Sequence, residues 1–473
     1  MALIACGSAA GAAPGALATA PVAPLDAATA QRIDAQVQQV MQRFAVPGAA
    51  LAVIQDGQQV YARAYGLRDR ERRLPVRTDT PFEIGSITKQ FTAAAIVQLQ
   101  EAGKLKLDDT LATYVPDAPH AGAVTLRQLL SHTSGLHEYF DGPEQEVDQR
   151  ITQPASYAEI IARIADRPLD FAPGSRWSYS NTGYLLLGKV IETVSGQSYR
   201  AYVQQHLLDP LGMRHTFTLA DKNRLSGMAV GYRHEAGALK RSPYFHPDWS
   251  GPAGFLVSTL DDLARWDAGL SGGTIVSSAG YADMTTSVSI ADGKPADYGL
   301  GLFVNTVYGQ PRIGHTGGSQ GFTTADEYFP AQKLRIIAFT NLGDKSPEPG
   351  ITLTNAVFAA LQPQQVAAWE QPVAGERADV TANARASFQQ LQAGAGYGAF
   401  SASLGQRLAA GLGAGLSRSL RGYGAPTRMV FKGDRQGERG TLHDYVAEFG
   451  PGVLMPYTVR VDEDGKVVAF ALD

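Results

Sequence analysis

The stretch Pro81-Phe82-Glu83-Ile84-Gly85-Ser86-Ile87-Thr88-Lys89-Gln90 places a hydroxyl and an amine three residues apart. Residues 91–101, which follow it, carry apolar side chains at helical spacing and stop before Gly103, so we predict a helix whose first turn holds Ser86 and Lys89. Positions i and i+3 of a helix lie on one face, which lets these two side chains touch. The unpaired N–H groups of a helix N-terminus also favour an anion that forms beside Ser86.

The S-x-x-K spacing needs support from other parts of the chain. A serine hydroxyl is a good nucleophile only when a neighbouring group removes its proton, and a lysine does so when burial or another cation lowers its pKa. The same spacing also fits a helix cap followed by a solvated lysine. The S-x-x-K spacing alone therefore does not identify a nucleophile.

Composition limits the class of protein. The chain has 473 residues, 44% hydrophobic and 18% charged, which is typical of a globular protein and long enough for two domains. The net charge of -4 lacks the excess of basic residues that is typical of nucleic-acid-binding domains. The sequence has no run of the roughly 18 or more apolar residues that a membrane-spanning helix needs. A single cysteine excludes an internal disulfide framework and a cysteine-rich metal site.

The N-terminal residues combine that cysteine with small side chains. Leu3-Ile4-Ala5-Cys6 resembles the lipobox of bacterial lipoproteins, in which the cysteine is acylated, although only five residues precede it. A chance cysteine in a small-residue leader is the alternative. Residues 7–30 are rich in Ala, Gly and Pro, which indicates a flexible tether or a signal remnant. We predict a leader or tether over residues 1–28, export to the periplasm or cell envelope, and a lipid anchor at Cys6 if the lipobox is genuine.

Residues 29–361 predict an α+β domain. The segment 47–64 alternates in a strand-like way around Asp56-Gly57, a hairpin signal, and residues 86–211 are mostly helical in pattern. Further strands are predicted at residues 298–305, 310–314, 323–329 and 334–341. We therefore expect an antiparallel sheet flanked by helices, with an inserted all-helical region.

The last hundred or so residues have a different character. A linker is predicted at residues 362–375, followed by a small α+β domain of unknown role at residues 376–473. Helical patterns at residues 380–393 and 400–420 precede four strand candidates, at residues 427–432, 441–449, 453–461 and 467–472.

Two further motifs support a catalytic interpretation of the S-x-x-K spacing. Tyr179-Ser180-Asn181 precedes an apolar run, and His315-Thr316-Gly317-Gly318 lies between two strand candidates. In this order, the three motifs resemble S-x-x-K, Y-x-N and K/H-T-G of the serine β-lactamase and penicillin-binding-protein superfamily. The resemblance is strongest to its class C β-lactamase and DD-peptidase branch, the β-lactamase-related serine hydrolases. Family-like stretches also occur at residues 129–136 (LLSHTSGL), 173–174 (PG), 210–213 (PLGM) and 253–259 (AGFLVST).

The resemblance implies a β-lactamase/transpeptidase-like fold and a role for each motif. Ser86 would be the nucleophile, with Lys89 and Tyr179 sharing its proton, and the backbone N–H groups of Ser86 and Gly318 would form the oxyanion hole. Asn181 would orient the substrate and Lys89. We expect Lys89, together with a protonated His315, to help Tyr179 ionise. The remaining substrate-binding residues implied by the motifs are His315, Thr316 and Gly317.

The motifs also depart from the class A pattern, which has S-D-N and K-T-G. Tyr179 stands in place of a serine, and no glutamate acting as a deacylation base is implied. His315 in place of the lysine resembles some DD-carboxypeptidases, esterases and D-aminopeptidases more than class C β-lactamases. The sequence therefore predicts a serine hydrolase that forms an acyl-enzyme at Ser86 and hydrolyses an ester or amide, such as a D-alanyl peptide, a small ester or a β-lactam.

Other functions were weighed against this prediction. A non-hydrolytic or slowly deacylating penicillin-binding or sensor protein is the main alternative. A metal- or nucleotide-dependent enzyme is disfavoured, because P-loop and G-x-G-x-x-G motifs are absent and the pair His132 and His137 lacks the H-E-x-x-H pattern. We expect no metal, no cofactor and no nucleic-acid partner, a small-molecule or peptide substrate, and a monomer. The pocket walls are expected to come from residues 136–153 and 233–249.

Overall fold

The computed structural model describes residues 24–344, 347–371, 373–437 and 439–472. Cys6 and most of the predicted leader lie outside the described residues, so the lipid anchor and the export stay predictions. In the part of the chain that is described, no helix has both the length and the apolar character that crossing a bilayer requires.

The helices are distributed along the whole described chain. They are α1 Ala27–Phe44, α2 Thr88–Glu101, α3 Leu126–Leu130, α4 Glu144–Arg150, α5 Tyr157–Ala162, α6 Asn181–Ser195, α7 Tyr199–Val203, α8 Asp209–Leu211, α9 Pro247–Gly254, α10 Leu260–Ser271, α11 Ser278–Met284, α12 Pro349–Leu361, α13 Pro363–Trp369, α14 Ala378–Ala393, α15 Ala402–Arg407 and α16 Gly413–Leu420.

The strands form one large sheet and several smaller ones. They are β1 Gly48–Gln55, β2 Gln58–Asp69, β3 Leu74–Pro75, β4 Phe82–Glu83, β5 Phe217–Thr218, β6 Tyr232–Glu235, β7 Ala238–Arg241, β8 Leu256–Ser258, β9 Phe303–Val307, β10 Gln310–Gly318, β11 Thr323–Phe329, β12 Leu334–Thr340, β13 Arg428–Gly437, β14 Gly440–Glu448, β15 Leu454–Val461 and β16 Val467–Leu472.

The main sheet is antiparallel, in the order β3-β2-β1-β12-β11-β10-β9. Its central strand β1 is covered on both faces, because successive residues point to opposite sides of a sheet. Ala50 and Ala52 belong to the core shared with the helical region, whereas Leu51 and Val53 pack in a second core that includes α1 and α12. The sheet therefore lies between two helical layers.

A buried ion network joins the sheet to the helical layer. The Arg335 guanidinium on β12 lies 2.8 Å from a carboxylate oxygen of Asp267 on α10 and 2.6 Å from one of Asp326 on β11. The other Asp326 oxygen accepts a hydrogen bond of 3.3 Å from Gln90, one residue after Lys89. The network thus ties α2 to the sheet next to the predicted catalytic residues.

Helix α2 is buried along nearly its whole length. Its alanine-rich sequence favours a helix, and the Phe91 ring stacks on Trp266 of α10 with centroids 3.7 Å apart. The helix ends at Glu101, and Gly103 follows with a φ of +69°, which agrees with the predicted stop. Because α2 is fixed inside the helical region, the residues at its start have defined positions beside the sheet.

The C-terminal residues form a separate four-stranded antiparallel sheet in the order β13-β14-β15-β16. Val380, Phe388 and Leu391 of α14 pack in its core. It touches the rest of the chain where the Asn355 side chain on α12 donates to the Gly452 carbonyl at 3.1 Å. The predicted α+β class, with an antiparallel sheet, flanking helices and a small C-terminal α+β unit, is confirmed. The domain boundaries stay predictions, and α13 lies in the stretch that was expected to be a linker.

Candidate active site

Ser86 lies in a turn that brings the chain from β4 into α2. Residues Gly85–Ile87 form a 3₁₀ turn that runs directly into the helix, so Ser86 precedes α2 and is not in its first turn as predicted. Gly85 has a φ of +50°, a conformation that glycine adopts readily. The Ile84 N–H, just before the turn, donates to the Leu256 carbonyl oxygen on β8 at 3.0 Å, and this bond attaches the start of the turn to β8.

Lys89 lies buried at the centre of three oxygen contacts. Its side chain is buried, and Nζ lies 3.0 Å from Ser86 Oγ, 2.8 Å from Asn181 Oδ1 and 2.8 Å from the Ala253 carbonyl oxygen. Burial lowers the pKa of the Lys89 amine to about 7, partly opposed by the negative charge of Glu138. The lysine is therefore neutral in a large fraction of molecules at neutral pH, as a base requires.

Tyr179 lies above the lysine on the segment that leads into α6. The Lys89 ammonium is 4.7 Å from the centre of its ring, and its hydroxyl is hydrogen-bonded to Ser86. Burial nevertheless raises the pKa of the Tyr179 phenol well above its ordinary value. The expected ionisation of Tyr179 is therefore not favoured here, and the phenol keeps its proton.

His315 lies on β10, and its imidazole is enclosed between two partners. Nε2 is 2.9 Å from the Tyr298 hydroxyl, and Nδ1 is 2.5 Å from the Thr316 carbonyl oxygen. Burial, reinforced by the nearby charge of Lys89, lowers the pKa of His315 to about 3. The expectation of a protonated His315 is therefore wrong, because a second cation in this buried site is disfavoured; the imidazole acts as a neutral hydrogen-bonding group.

The end of β10 lies against the Ser86 turn. Neighbouring β9 pairs only with Gln310–Gly314 among the described strands, so the four residues from His315 to Gly318 have an edge open toward the serine. A Cβ on Gly85 would lie 2.8 Å from the Gly318 nitrogen, and one on Gly317 would overlap the Ile84 carbonyl group. Only glycines allow this approach, which brings the Gly318 backbone next to Ser86.

These residues line a cleft of about 1040 Å³. The segments predicted as walls do contribute to it: Phe140 and Val147 come from the first, and Arg233 and Phe245 from the second. The Arg233 guanidinium is paired with Asp148 at 2.6 Å, which links α4 to β6 across the cleft. The predicted site residues lining this cleft are Ser86, Tyr179, Asn181, His315, Thr316 and Gly318.

Glu138 belongs to the site but to none of the sequence motifs. Its carboxylate accepts the Asn181 backbone N–H at 2.6 Å and faces the Asn181 side-chain amide at 3.4 Å. This contact fixes the first residue of α6 and so turns the Asn181 oxygen toward Lys89. The only available signal was an acidic residue in the apolar stretch L-H-E-Y-F, which carries no motif.

The two histidines considered as metal ligands do not act together. His132 is buried against the Tyr179 ring, with centroids 4.3 Å apart. His137 instead pairs with Asp170 at 2.9 Å and Asp141 at 3.1 Å, and these carboxylates raise its pKa.

Comparisons with known proteins show which family and which fold this chain resembles. The family model described as Beta-lactamase matches residues 33–361. The putative penicillin-binding protein PbpX of Bacillus subtilis (strain 168) is 28% identical over 309 residues, covering 65% of this chain and 73% of that protein. The D-aminopeptidase of Gluconobacter oxydans (strain 621H) is 28% identical over 317 residues, covering 66% of this chain but 58% of that enzyme.

A solved structure resembles nearly the whole chain. The penicillin-binding protein homologue from Pyrococcus abyssi has a TM-score of 0.63 at 24% identity, covering 94% of this chain and 99% of that one. At this identity the likeness concerns the fold, including the C-terminal sheet. That protein is octameric, and the monomer expected for this chain stays a prediction.

Proposed function

Because this chain belongs to the Beta-lactamase family, we propose that it is a serine hydrolase that forms an acyl-enzyme at Ser86. The observation that supports this most strongly is the set of contacts around Lys89 Nζ, which lies 3.0 Å from Ser86 Oγ in a buried position. The hydrolase class agrees with relatives such as D-aminopeptidase.

The neutral form of Lys89 is oriented as a base. A neutral amine has two N–H donors and one lone pair. Two of its three partners, Asn181 Oδ1 and the Ala253 carbonyl oxygen, can only accept hydrogen bonds, each at 2.8 Å. They take both N–H groups, so the lone pair remains for the Ser86 hydroxyl proton.

Acylation then follows from the geometry. Ser86 Oγ attacks the carbonyl carbon as its proton moves to Lys89, and the carbonyl π electrons move to the oxygen. The backbone N–H groups of Ser86 and Gly318 stabilise this oxyanion, an interaction for which a single donor is worth on the order of 3 kcal/mol. The intermediate collapses and expels the alcohol or amine, which takes its proton from the Tyr179 hydroxyl while Lys89 restores the phenol.

Deacylation uses the same groups in reverse. A water molecule takes the place of the leaving group and attacks the acyl carbon, while Tyr179 accepts the water proton and passes its own proton to neutral Lys89. The tetrahedral intermediate then collapses, Lys89 returns the proton to Ser86 Oγ, and the acid is released. Neutral His315 contributes hydrogen bonding through Tyr298 and Thr316 and adds no positive charge to the cleft.

Several substrates suit this chemistry. An open cleft of about 1040 Å³ has room for a small peptide or a bulky ester. Amides of D-amino acids are favoured by the similarity to a D-aminopeptidase, and D-alanyl peptides and β-lactams by the similarity to a penicillin-binding protein. We also propose that the enzyme acts in the cell envelope; the lipobox-like segment Leu3-Ile4-Ala5-Cys6 supports this proposal.

A substrate panel tests the proposal. The purified protein is assayed with p-nitrophenyl butyrate, D-alanine p-nitroanilide and a chromogenic cephalosporin, beside Ser86→Ala and the exposed-serine control Ser278→Ala. We expect turnover of at least one substrate by the parent and by Ser278→Ala, and loss of turnover in Ser86→Ala.

Intact-mass spectrometry separates the alternatives. A transient acyl adduct in the parent that is missing in Ser86→Ala supports the hydrolase. A stable adduct without turnover indicates a slowly deacylating binding protein instead. Equal rates in the parent and Ser86→Ala on every substrate refute Ser86 as the nucleophile.

A further inference from the structure

Both backbone amides that flank Tyr179 donate to the same residue. The Ser178 N–H donates to the His132 carbonyl oxygen at 2.9 Å, and the Ser180 N–H donates to His132 Nδ1 at 3.1 Å. His132 therefore binds the N–H groups of the residues before and after the tyrosine. These two contacts fix the backbone position from which the Tyr179 side chain reaches Ser86.

The imidazole of His132 also supports the Tyr179 ring from behind. The two ring centroids are 4.3 Å apart, and His132 lies 4.7 Å from the ring of Tyr298 and 5.2 Å from that of Tyr184. The His132 side chain is 1% exposed. Since Tyr298 hydrogen-bonds His315, this aromatic cluster connects the tyrosine motif with the end of β10.

The backbone of His132 has a conformation that is uncommon for residues other than glycine. Its φ is +60°, in the left-handed region that asparagine and glycine favour. Two backbone hydrogen bonds hold the turn. The Thr133 N–H donates to the Gln128 carbonyl oxygen at 2.9 Å, and the Thr133 carbonyl oxygen accepts from the Gly174 N–H at 2.7 Å. The turn thus aims the imidazole at the Tyr179 segment.

The hydrogen bonds define the protonation state of His132. Nδ1 accepts the Ser180 N–H, so the single ring proton is on Nε2. Burial and the neighbouring Lys89 keep the pKa of His132 well below its ordinary value, so the ring stays neutral. Nε2 is buried without a hydrogen-bond partner among the described residues, so the hydrogen bonding of the imidazole is directed to the Tyr179 segment through Nδ1.

We propose that His132 is a positioning residue for catalysis, which holds Tyr179 over Ser86 and Lys89 by accepting hydrogen bonds from the N–H groups of Ser178 and Ser180 and by packing against the phenol ring. The inference rests on the proposed serine hydrolase function and adds a residue to it. His132 acts through Tyr179 and touches no substrate.

The test compares two substitutions with a matched control. His132→Leu removes the acceptor for Ser180. His132→Asn keeps an acceptor oxygen near the position of Nδ1 and suits the positive φ. The control is His120→Leu, since His120 is an exposed histidine that also has a positive φ, of 56°, and lies away from the cleft. Each full-length variant is titrated with a fluorophosphonate that labels reactive serines, so that kcat is expressed per labelled site.

We expect His132→Leu to lower kcat by about a hundredfold, the effect of a small displacement of a catalytic group, with KM close to the parent value. His132→Asn should recover most of that loss, and His120→Leu should match the parent. A parent-like kcat in His132→Leu overturns the inference, as does an equal loss in both His132 variants, which would indicate packing alone. If the parent itself neither hydrolyses a substrate nor is labelled, the proposed function fails and this inference fails with it.

Discussion

The contact between β10 and the Ser86 turn makes Gly317→Ala an informative substitution. The new Cβ would lie 2.9 Å from the Ile84 carbonyl carbon and would overlap the Ile84 oxygen, and both are backbone atoms. Ordinary contacts begin at about 3.2–3.5 Å. The overlap with the Ile84 oxygen is the larger of the two, so the strand has to retreat by about 1 Å or slightly more. The adjacent Gly318 N–H moves with it, away from the position of the oxyanion.

The expected losses follow from that displacement. Overpacking of this size costs about 1–3 kcal/mol of stability, which should lower Tm by a few degrees. A misplacement of about 1 Å at a catalytic group costs about a hundredfold in rate, or about 2.7 kcal/mol of transition-state stabilisation. Calorimetry and kcat/KM on p-nitrophenyl butyrate measure the two effects separately.

The matched control for this substitution is Gly122→Ala. A Cβ on Gly122 would meet nothing within 4 Å, and its φ is not in the left-handed region. We expect the control to keep the parent Tm and kcat/KM. Parent-like activity and Tm in Gly317→Ala would show that β10 can leave the turn freely, and would refute the argument that its glycines set the oxyanion hole.

Three further results are expected. The value of kcat/KM should rise with pH through about 7 and then level off, because the neutral form of Lys89 is the base and burial lowers the pKa of that amine to about 7. A flat profile from pH 5 to about 9 would contradict the assignment of Lys89 as the base. Tyr179→Phe keeps the ring over Lys89 but removes the hydroxyl that passes a proton between Lys89 and the leaving group. We expect kcat to fall by about 10²–10⁴-fold with Tm nearly unchanged, and a parent-like kcat would exclude this proton transfer. Arg335→Met leaves two buried carboxylates without their partner and should lower the free energy of unfolding, measured in urea, by about 3–5 kcal/mol, whereas Arg377→Met, in an exposed pair, should change nothing measurable.

Much of this site was predictable because its motifs are local. The S-x-x-K spacing follows from helix geometry, and the strand predicted at residues 323–329 coincides with β11. β10 was predicted to end at Gly314 but continues to Gly318. The short pattern His-Thr-Gly-Gly gives no strand signal, since glycine is a poor strand former; pairing with β11 keeps these residues extended.

Electrostatic features of the site depend on the tertiary structure and were not predictable. Neither the burial that keeps His315 neutral nor the contact between Glu138 and Asn181 is encoded in a spacing along the chain. The charge of Lys89 acts on His315, and Glu138 is hydrogen-bonded to Asn181. Both interactions join segments that are distant in sequence. The helix α13 in the stretch predicted as a linker is a simpler case, because Pro363 at its first turn is also a typical helix start.

The register of the main sheet has a consequence for biosynthesis. Leu51 of β1 is paired with Ala338 of β12, which is translated near the end of the first domain. Until then β1 can pair only with β2, and its other edge, which β12 covers in the folded sheet, is unprotected. Closing such a long loop makes folding slow and exposes the intermediate to aggregation, so a chain truncated before β12 should be recovered mainly as insoluble material.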